Sequence, residues 1–398
     1  MTPFRFRGTI SSSKSILNRL LVIQSHAPSL QIVGDSKADD VVKMRSALAS
    51  MLKGEPADCG SAGTTLRFLA LRASRLQGTH HLSGSLRLFS RPHDEIVRLL
   101  AQLGREAEIR LQRLTVRGGD WTLSKSEVVV DRSISSQFAS ALFLNAWGLP
   151  FDLHVRFEGE AVSEPYFAMT LELVERAGMK IEKLENGTLR VPNGSRVTAS
   201  KLESEIDLSS AFSLAALAAV SGGRVEIQDW PEKSLQPDRA FASILDAMDC
   251  EVTMRSSLIV SRTSGSPLKA IEQSMKHCPD LFPVLAVLCA YAEGTSRLSG
   301  APHLAAKESD RIAKTAELLK ALGRKARVID GGLEIEGRPF DKSSAVKPFK
   351  YDTDHDHRLA MAAAVARAAG AMIELTDENV VNKSFPGFWT LFEEGLRG

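Results

Sequence analysis

The sequence predicts an α/β protein of two domains, each built from three copies of one unit: strand, buried helix, strand, amphipathic helix, strand, strand. Three observations carry that expectation. The chain has 398 residues, more than one hydrophobic core usually organises. A strongly apolar helix opens behind a small or polar cluster six times, at Lys14, Gly63, Ser136, Ser210, Asp280 and Asp356, in steps of 49, 73, 74, 70 and 76 residues. An amphipathic helix recurs in step with it, ending at Gly104, Gly178, Cys250, Gly323 and Gly395, with spacings of 74, 72, 73 and 72. Self-similarity at a near-constant period marks a repeated supersecondary unit.

In chain order, the first buried helix follows Ser13-Lys14-Ser15 (ILNRLLVIQSHA), the second Ala62-Gly63-Thr64 and the third Ser135-Ser136-Gln137. The fourth follows Ser209-Ser210, the fifth Pro279-Asp280 and the sixth Asp356-His357-Arg358. LAALAAV and VLAVLCAYA are apolar on nearly every face, which puts them through the middle of a domain. After each of the first four amphipathic helices comes a short alternating segment (EAEIRL, MKIEKL, CEVTM, RKARVI) that reads as a strand. The densest charge lies between His303 and Gly323, where Lys307, Glu308, Asp310 and Arg311 precede an apolar series spaced three and four apart. The expectation is that this cluster forms a first helical turn, with Lys307 and Arg311 four apart on one face and Gly323 as the stop.

Composition is that of an ordinary globular protein, 43% hydrophobic and 25% charged. A formal net charge of +2 is too small to argue for a nucleic-acid partner, so any positive field must be local. Cys59, Cys250, Cys278 and Cys289 are scattered and form no CxxC, which argues against a disulfide framework or a zinc site and suits a reducing cytoplasm. The start of the chain lacks a signal-peptide core, and the longest apolar run, Leu281 to Ala292, is too short to cross a bilayer. A soluble, cytoplasmic monomer is expected, with no membrane partner.

Helix N-termini with free N–H groups and a positive dipole end are ready anion sites. If the repeat turns several of them toward one cleft, Lys14, Arg19, Arg67, Arg91, Lys307, Arg311, Arg358 and Lys383 join them there, since all lie at or near these starts and their connections. The ligands expected of such a cleft are small and multiply anionic.

The motifs now bear a specific resemblance. SKSILNR (Ser13 to Arg19), GSAGTTLR (Gly60 to Arg67), Arg91-Pro92, SSQFASAL (from Ser135) and SEPYFAMT (from Ser163) are followed by DLSSAF (from Asp207), PDLFPVLAV (from Pro279), KESDRI (from Lys307), DHRLAMA (from Asp356) and NKSFPGF (from Asn382). In this order and spacing they resemble the enolpyruvyl transferases, most closely the 5-enolpyruvylshikimate-3-phosphate synthase family. The resemblance implies an inverse α/β barrel of six βαβαββ repeats in two domains, 13–204 and 1–12 with 205–398, hinged by two strands near 12 and 205, with the active site in the interdomain cleft. It implies transfer of the carboxyvinyl group of phosphoenolpyruvate to the 5-hydroxyl of shikimate 3-phosphate, with release of phosphate and with no cofactor or metal.

By motif position, shikimate 3-phosphate would be held by Lys14, Ser15, Arg19, Ser135, Ser136, Gln137, Ser163, Tyr166, Asp280, His303 and Lys307. Phosphoenolpyruvate would be held by Lys14, Gly63, Arg91, Gln137, Arg311, Arg358 and Lys383, the arginines because a planar fork matches carboxylate and phosphate oxygens. Asp280 and Glu308 would serve as base and acid, with Lys14 and Lys307 as proton carriers. The run Asp354-His355-Asp356-His357 could hold a metal, but no second ligand cluster supports it.

Four positions depart from the family pattern: Ser61 for asparagine, Phe68 for proline, Glu164 for lysine or arginine, and Ala305 for arginine. Glyphosate, a phosphonate that in this family occupies the phosphoenolpyruvate site, should be sensitive to Gly63. Phe68, in place of a proline expected to fix the helix start, should weaken its binding. The rival acceptor is UDP-N-acetylglucosamine, but that sister family carries a cysteine on the loop before Arg-Pro, and Ser83 to Arg91 has none. A non-catalytic phosphometabolite-binding protein on the same scaffold is the remaining alternative. Retention of both carboxylates argues against it.

Overall fold

The computed structural model describes residues 2–263, 265–339 and 347–397. The fold is α/β, and the chain divides into two compact units, Ser12–Glu205 and Met1–Ser11 with Ile206–Gly398. Where it passes from one to the other, the two passing segments bond backbone to backbone. Ser13 N donates to Glu205 O at 2.7 Å within the first unit, and Asp207 N to Ser11 O at 2.9 Å within the second.

In Ser12–Glu205, the buried helices Lys14–His26, Gly63–Ala73 and Gln137–Leu144 pack on one another. Two sheets there share one strand order. Ala57–Asp58 runs parallel to Gly78–Ser83, followed by the antiparallel strands Arg113–Gly118 and Glu106–Arg110. Val128–Asp131, Leu153–Glu158, Leu189–Val191 and Glu182–Lys183 repeat that order. A parallel pair needs a crossover, and the helices Gly63–Ala73 and Gln137–Leu144 supply it, which is why they lie against the sheets and are buried. Asp39–Leu52, Asp94–Gln102 and Glu164–Arg176 are amphipathic; in the second, Ile96, Leu99 and Leu100 fall on one face and are buried.

The other unit is built on the same plan. Arg5–Gly8 runs parallel to Arg224–Ile227, then Leu258–Ser261 and Glu251–Met254 follow antiparallel. Ala292–Ser299 has parallel partners in Leu268–Lys269 and Glu272–Ser274 and an antiparallel one in Gly332–Gly337, whose other edge pairs antiparallel with Lys325–Ile329. Leu208–Ser221, Phe282–Tyr291 and His357–Ala368 form the core, the first two buried at every position. Their alanines let the helices approach closely, and an Ala363→Leu change would overpack the contact at a cost of about 1–3 kcal/mol. Two of the serines on Leu208–Ser221 bond back to their own helix: Ser221 Oγ donates to Leu217 O at 2.7 Å and accepts from Phe4 N at 2.9 Å, and Ser213 Oγ donates to Ser209 O at 3.3 Å.

Two expectations are corrected. The charged cluster is not a first turn: Pro302–Ala306 is a 3₁₀ turn, Lys307 is extended, and the helix runs only over Arg311–Ala321. Asp310 caps it, accepting from Ala313 N at 3.0 Å, while the buried Ser309 donates Oγ to Asp356 at 3.1 Å and pulls the preceding residues out of helical register. Lys307 and Arg311 therefore do not share a helix face. Gly395 does not end the last helix, which continues to Arg397; a Cβ on Gly395 would meet the Phe4 ring, so glycine there serves close packing.

Candidate active site

In the unit containing residues 206–398, the starts of three elements bring charge together. Asp280 lies in the turn Pro279–Leu281 ahead of a buried helix, Arg311 begins Arg311–Ala321, and Arg358 lies in the first turn of His357–Ala368. Arg311 is 1% exposed and donates to three carboxylates: Nε to Asp356 Oδ2 at 2.8 Å, Nη1 to Asp280 Oδ1 at 2.7 Å and Nη2 to Glu308 Oε2 at 3.2 Å. Arg358 Nη2 donates to Ser209 Oγ at 2.7 Å and to Asp280 Oδ2 at 3.3 Å. Lys383 Nζ, at the end of the turn Asn379–Lys383, is 3.6 Å from Glu308 Oε1.

Burial alone would raise the Asp280 pKa, but the Arg358, Arg311 and Lys307 charges outweigh it and hold the carboxyl well below the usual range. About a quarter of its side chain, 24%, still reaches solvent, so a ligand can touch it. Arg311 is held strongly cationic: its burial is outweighed by Asp356, Asp280 and Glu308. His303 is pushed down to about 3 by burial and then by Lys307, so it is a neutral hydrogen-bonding group at neutral pH and not a cation.

In the unit Ser12–Glu205, the helix starts carry the other expected residues. Ser13 caps the first helix, accepting from Ile16 N at 3.4 Å, and Lys14 in its first turn pairs with Asp40 at 2.9 Å. Arg19 is enclosed: Nε donates to Thr170 Oγ1 at 2.7 Å, Nη1 to Ser15 O at 2.8 Å and Nη2 to Tyr166 O at 3.1 Å, with Phe68 5.3 Å below the guanidinium. Arg67 Nη1 donates to Gln137 Oε1 at 2.8 Å and Ser135 Oγ at 3.3 Å, and Gln137 Nε2 donates to Thr64 Oγ1 at 3.1 Å. Ser136 occupies the cap position of its helix without a side-chain capping bond. A Cβ on Gly63 would lie 2.6 Å from Arg91 Nη1, so the bare glycine is what lets that guanidinium sit against the helix start.

Each unit presents cations at helix starts, chemistry suited to anions, and the unit containing residues 206–398 adds carboxylates suited to proton transfer; the comparisons say which chemistry the chain serves. A family model described as EPSP synthase (3-phosphoshikimate 1-carboxyvinyltransferase) matches residues 26–392. The chain belongs to the EPSP synthase family. Relatives named 3-phosphoshikimate 1-carboxyvinyltransferase include those of Syntrophobacter fumaroxidans, 33% identical over 97% of this chain and 96% of that one, and of Thermococcus kodakarensis, 36% identical over 82% and 78%. Among solved structures, EPSP synthase from Acinetobacter baumannii superposes with a TM-score of 0.76 at 20% identity, covering 99% of this chain and 96% of that one. The enolpyruvyl transferase NikO from Streptomyces tendae gives 0.72 at 15% identity, over 99% and 95%. These two likenesses concern the fold. As a member of the EPSP synthase family, the chain is a transferase of the shikimate pathway that passes the carboxyvinyl group of phosphoenolpyruvate to shikimate 3-phosphate. The UDP-N-acetylglucosamine alternative is not favoured.

Against that family reading, sequence reasoning found the cations and missed the groups that aim them. Asp40, Asp356 and Ser209 each hold a site residue 26 or more positions away in the chain, and Ser309 in turn braces Asp356. Asp356 and Ser209 had a local signal, as members of the polar clusters that open apolar helices. Of the departures, Ser61 Oγ donates to Ser85 Oγ at 3.0 Å, and Glu164 pairs with Arg132 at 2.8 Å. Phe68 is the sixth residue of its helix, not its start, which corrects the role given to that position. Cys59 is buried and its thiol is pushed up to about 12, mainly by that burial, which leaves it inert.

Proposed function

We propose that Asp280 and Glu308 handle the two protons of the reaction while the cations around them hold phosphoenolpyruvate. The carrying observation is that both carboxylates grip one guanidinium, Arg311, at 2.7 and 3.2 Å. The carboxylate of incoming phosphoenolpyruvate competes with them for Arg311 and Arg358. Each cation contact transferred from Asp280 to substrate removes part of what holds its pKa down, and the carboxylate becomes a stronger base. It then takes the 5-hydroxyl proton as that oxygen bonds to C2 of phosphoenolpyruvate, and the electron pair of the carbon–carbon double bond accepts a proton from Glu308 at C3. Cleavage of the bond between C2 and the phosphate oxygen expels phosphate, which takes the proton held by Asp280, and loss of a methyl proton to Glu308 restores the double bond and returns both carboxyls to their starting states.

Lys14, Gly63, Arg91, Gln137, Arg311, Arg358 and Lys383 are assigned to phosphoenolpyruvate. Ser15, Arg19, Ser135, Ser136, Gln137, Ser163, Tyr166 and Lys307 are assigned to shikimate 3-phosphate, with Lys14, Asp280 and neutral His303. Arg19 spends three N–H groups on the protein, so it acts mainly by fixing Ser15 and Tyr166. The two units are read as the two domains of the family fold, in a monomer acting in the cytoplasm; among the described residues no helix is long and apolar enough to cross a membrane.

Glu308→Gln tests the assignment: shikimate 3-phosphate binding stays close to wild type while kcat falls by about a hundredfold or more, the scale of general acid–base effects. Turnover near the wild-type rate would remove Glu308 from the proton path.

A further inference from the structure

Glu164 sits between two residues assigned to shikimate 3-phosphate, Ser163 and Tyr166. A carboxylate beside a site for a phosphate dianion repels it unless its charge is met. Here it is met by one residue: Arg132 Nη1 donates to both Glu164 oxygens, at 2.9 and 2.8 Å.

Arg132 is well placed to transmit position as well as charge. Its backbone is fixed from two directions, N donating to Glu158 O at 3.0 Å and O accepting from Val162 N at 3.2 Å. The residues on either side are pinned too: Asp131 N donates to Glu95 Oε1 at 3.0 Å, and Ser133 N to Asp131 Oδ1 at 2.8 Å. The guanidinium lies 4.2 Å from the centre of the Phe157 ring, and Phe157 meets edge-on the buried Phe167 of the helix that Glu164 begins. Three residues after Arg132 comes Ser135. On the other side, Ser163 has φ +54, a left-handed conformation that a non-glycine residue adopts only where its surroundings hold it. Its side chain makes no capping bond to the helix; side-chain ties at that start include the grip on the adjacent Glu164 and the bond from Arg19 Nη2 to Tyr166 O at 3.1 Å.

We infer that Arg132 and Glu164 form a clasp that sets the spacing between Ser135–Gln137 and Ser163–Tyr166, making Arg132 a positioning residue for shikimate 3-phosphate. The inference rests on the assignment of those two segments to that substrate. Because the pair is partly open, with side-chain exposures of 19% and 41%, its effect falls on local geometry more than on overall stability.

The test is a double-mutant cycle of Arg132→Ala, Glu164→Ala and the double variant, reading kcat, both KM values and the thermal midpoint. Arg132→Ala is expected to raise the KM for shikimate 3-phosphate about tenfold, to leave that for phosphoenolpyruvate within about twofold, and to be no worse in the double variant, as coupled residues behave. An unchanged KM for shikimate 3-phosphate, an equal rise in both KM values, or independently multiplying effects overturns the clasp. Ser136→Ala, measured alongside, separates the two readings. If it raises the KM for shikimate 3-phosphate while Arg132→Ala does not, the clasp alone is wrong; if it too is silent, the segment assignment fails and the clasp with it.

Discussion

Arg311 Nε lies 2.8 Å from Oδ2 of Asp356, a carboxylate with no solvent exposure. The same carboxylate accepts from Ser309 Oγ at 3.1 Å and from Arg358 N at 2.9 Å, so one buried charge fixes two of the arginines assigned to phosphoenolpyruvate. It holds the first through the side chain and the second through the helix start.

Asp356→Ala should therefore cost stability and affinity together. Removing one partner of a buried pair leaves the other charge uncompensated, at about 3–5 kcal/mol. Unfolding in urea should shift accordingly, and the KM for phosphoenolpyruvate should rise. Asp356→Asn, which keeps an acceptor for the helix start, should lose less. An Asp356→Ala protein that unfolds at the wild-type urea concentration would show that Arg311 does not depend on this contact.

Acid should destabilise the protein before its carboxylates titrate. His26 and His303 are pushed down to about 3 and His93 to about 4, in each case chiefly by burial. The unfolded chain protonates these rings near pH 6.5, as histidine ordinarily does, whereas the folded chain does not until about pH 4 to 3. The unfolded state thus binds more protons in that window. Stability is unaffected above it and falls as pH drops from about 6.5 toward 4. His93→Gln, which retains a donor for Leu88 O, should flatten the dependence. A thermal midpoint constant between pH 6.5 and 4.5 would contradict the neutral, buried state of these histidines.

Gly63→Ala should act through Arg91, whose guanidinium occupies the space a Cβ would take, 2.6 Å from Nη1 and 3.1 Å from Cζ. The displaced fork should raise the KM for phosphoenolpyruvate severalfold and weaken glyphosate more than the shorter substrate. Phe68→Pro should not restore glyphosate binding. Position 68 is inside the helix, where proline removes a hydrogen bond and costs about 3 kcal/mol, and the lost ring also leaves Arg19 without its stacking partner. Inhibition constants for the two variants, with their unfolding midpoints, check both statements. A Gly63→Ala enzyme inhibited like wild type would put the Arg91 assignment in doubt.

Much of the α/β fold was legible because its core helices are apolar on every side. Leu208–Ser221 and Phe282–Tyr291 could hardly lie anywhere but in a core, and their even spacing announced a repeated unit. The cations were legible for a related reason: Arg311 and Arg358 stand where apolar sequence begins. The helix boundary at Asp310 was not legible, because KESDR reads as helical until Ser309 is seen to be held by Asp356, 47 residues away in the chain. Nor were Arg132 and Asp40 read as site residues, since each acts through a partner that sequence spacing does not reveal. Arg19 was legible as a site residue but not as an enclosed brace, which depends on Thr170 and Tyr166 arriving from a later helix.

The most direct measurement is phosphate release from phosphoenolpyruvate with shikimate 3-phosphate or UDP-N-acetylglucosamine as acceptor. One phosphate should be released per shikimate 3-phosphate consumed, with none above background from the nucleotide sugar. Release with the nucleotide sugar alone, or with neither acceptor, would contradict the account.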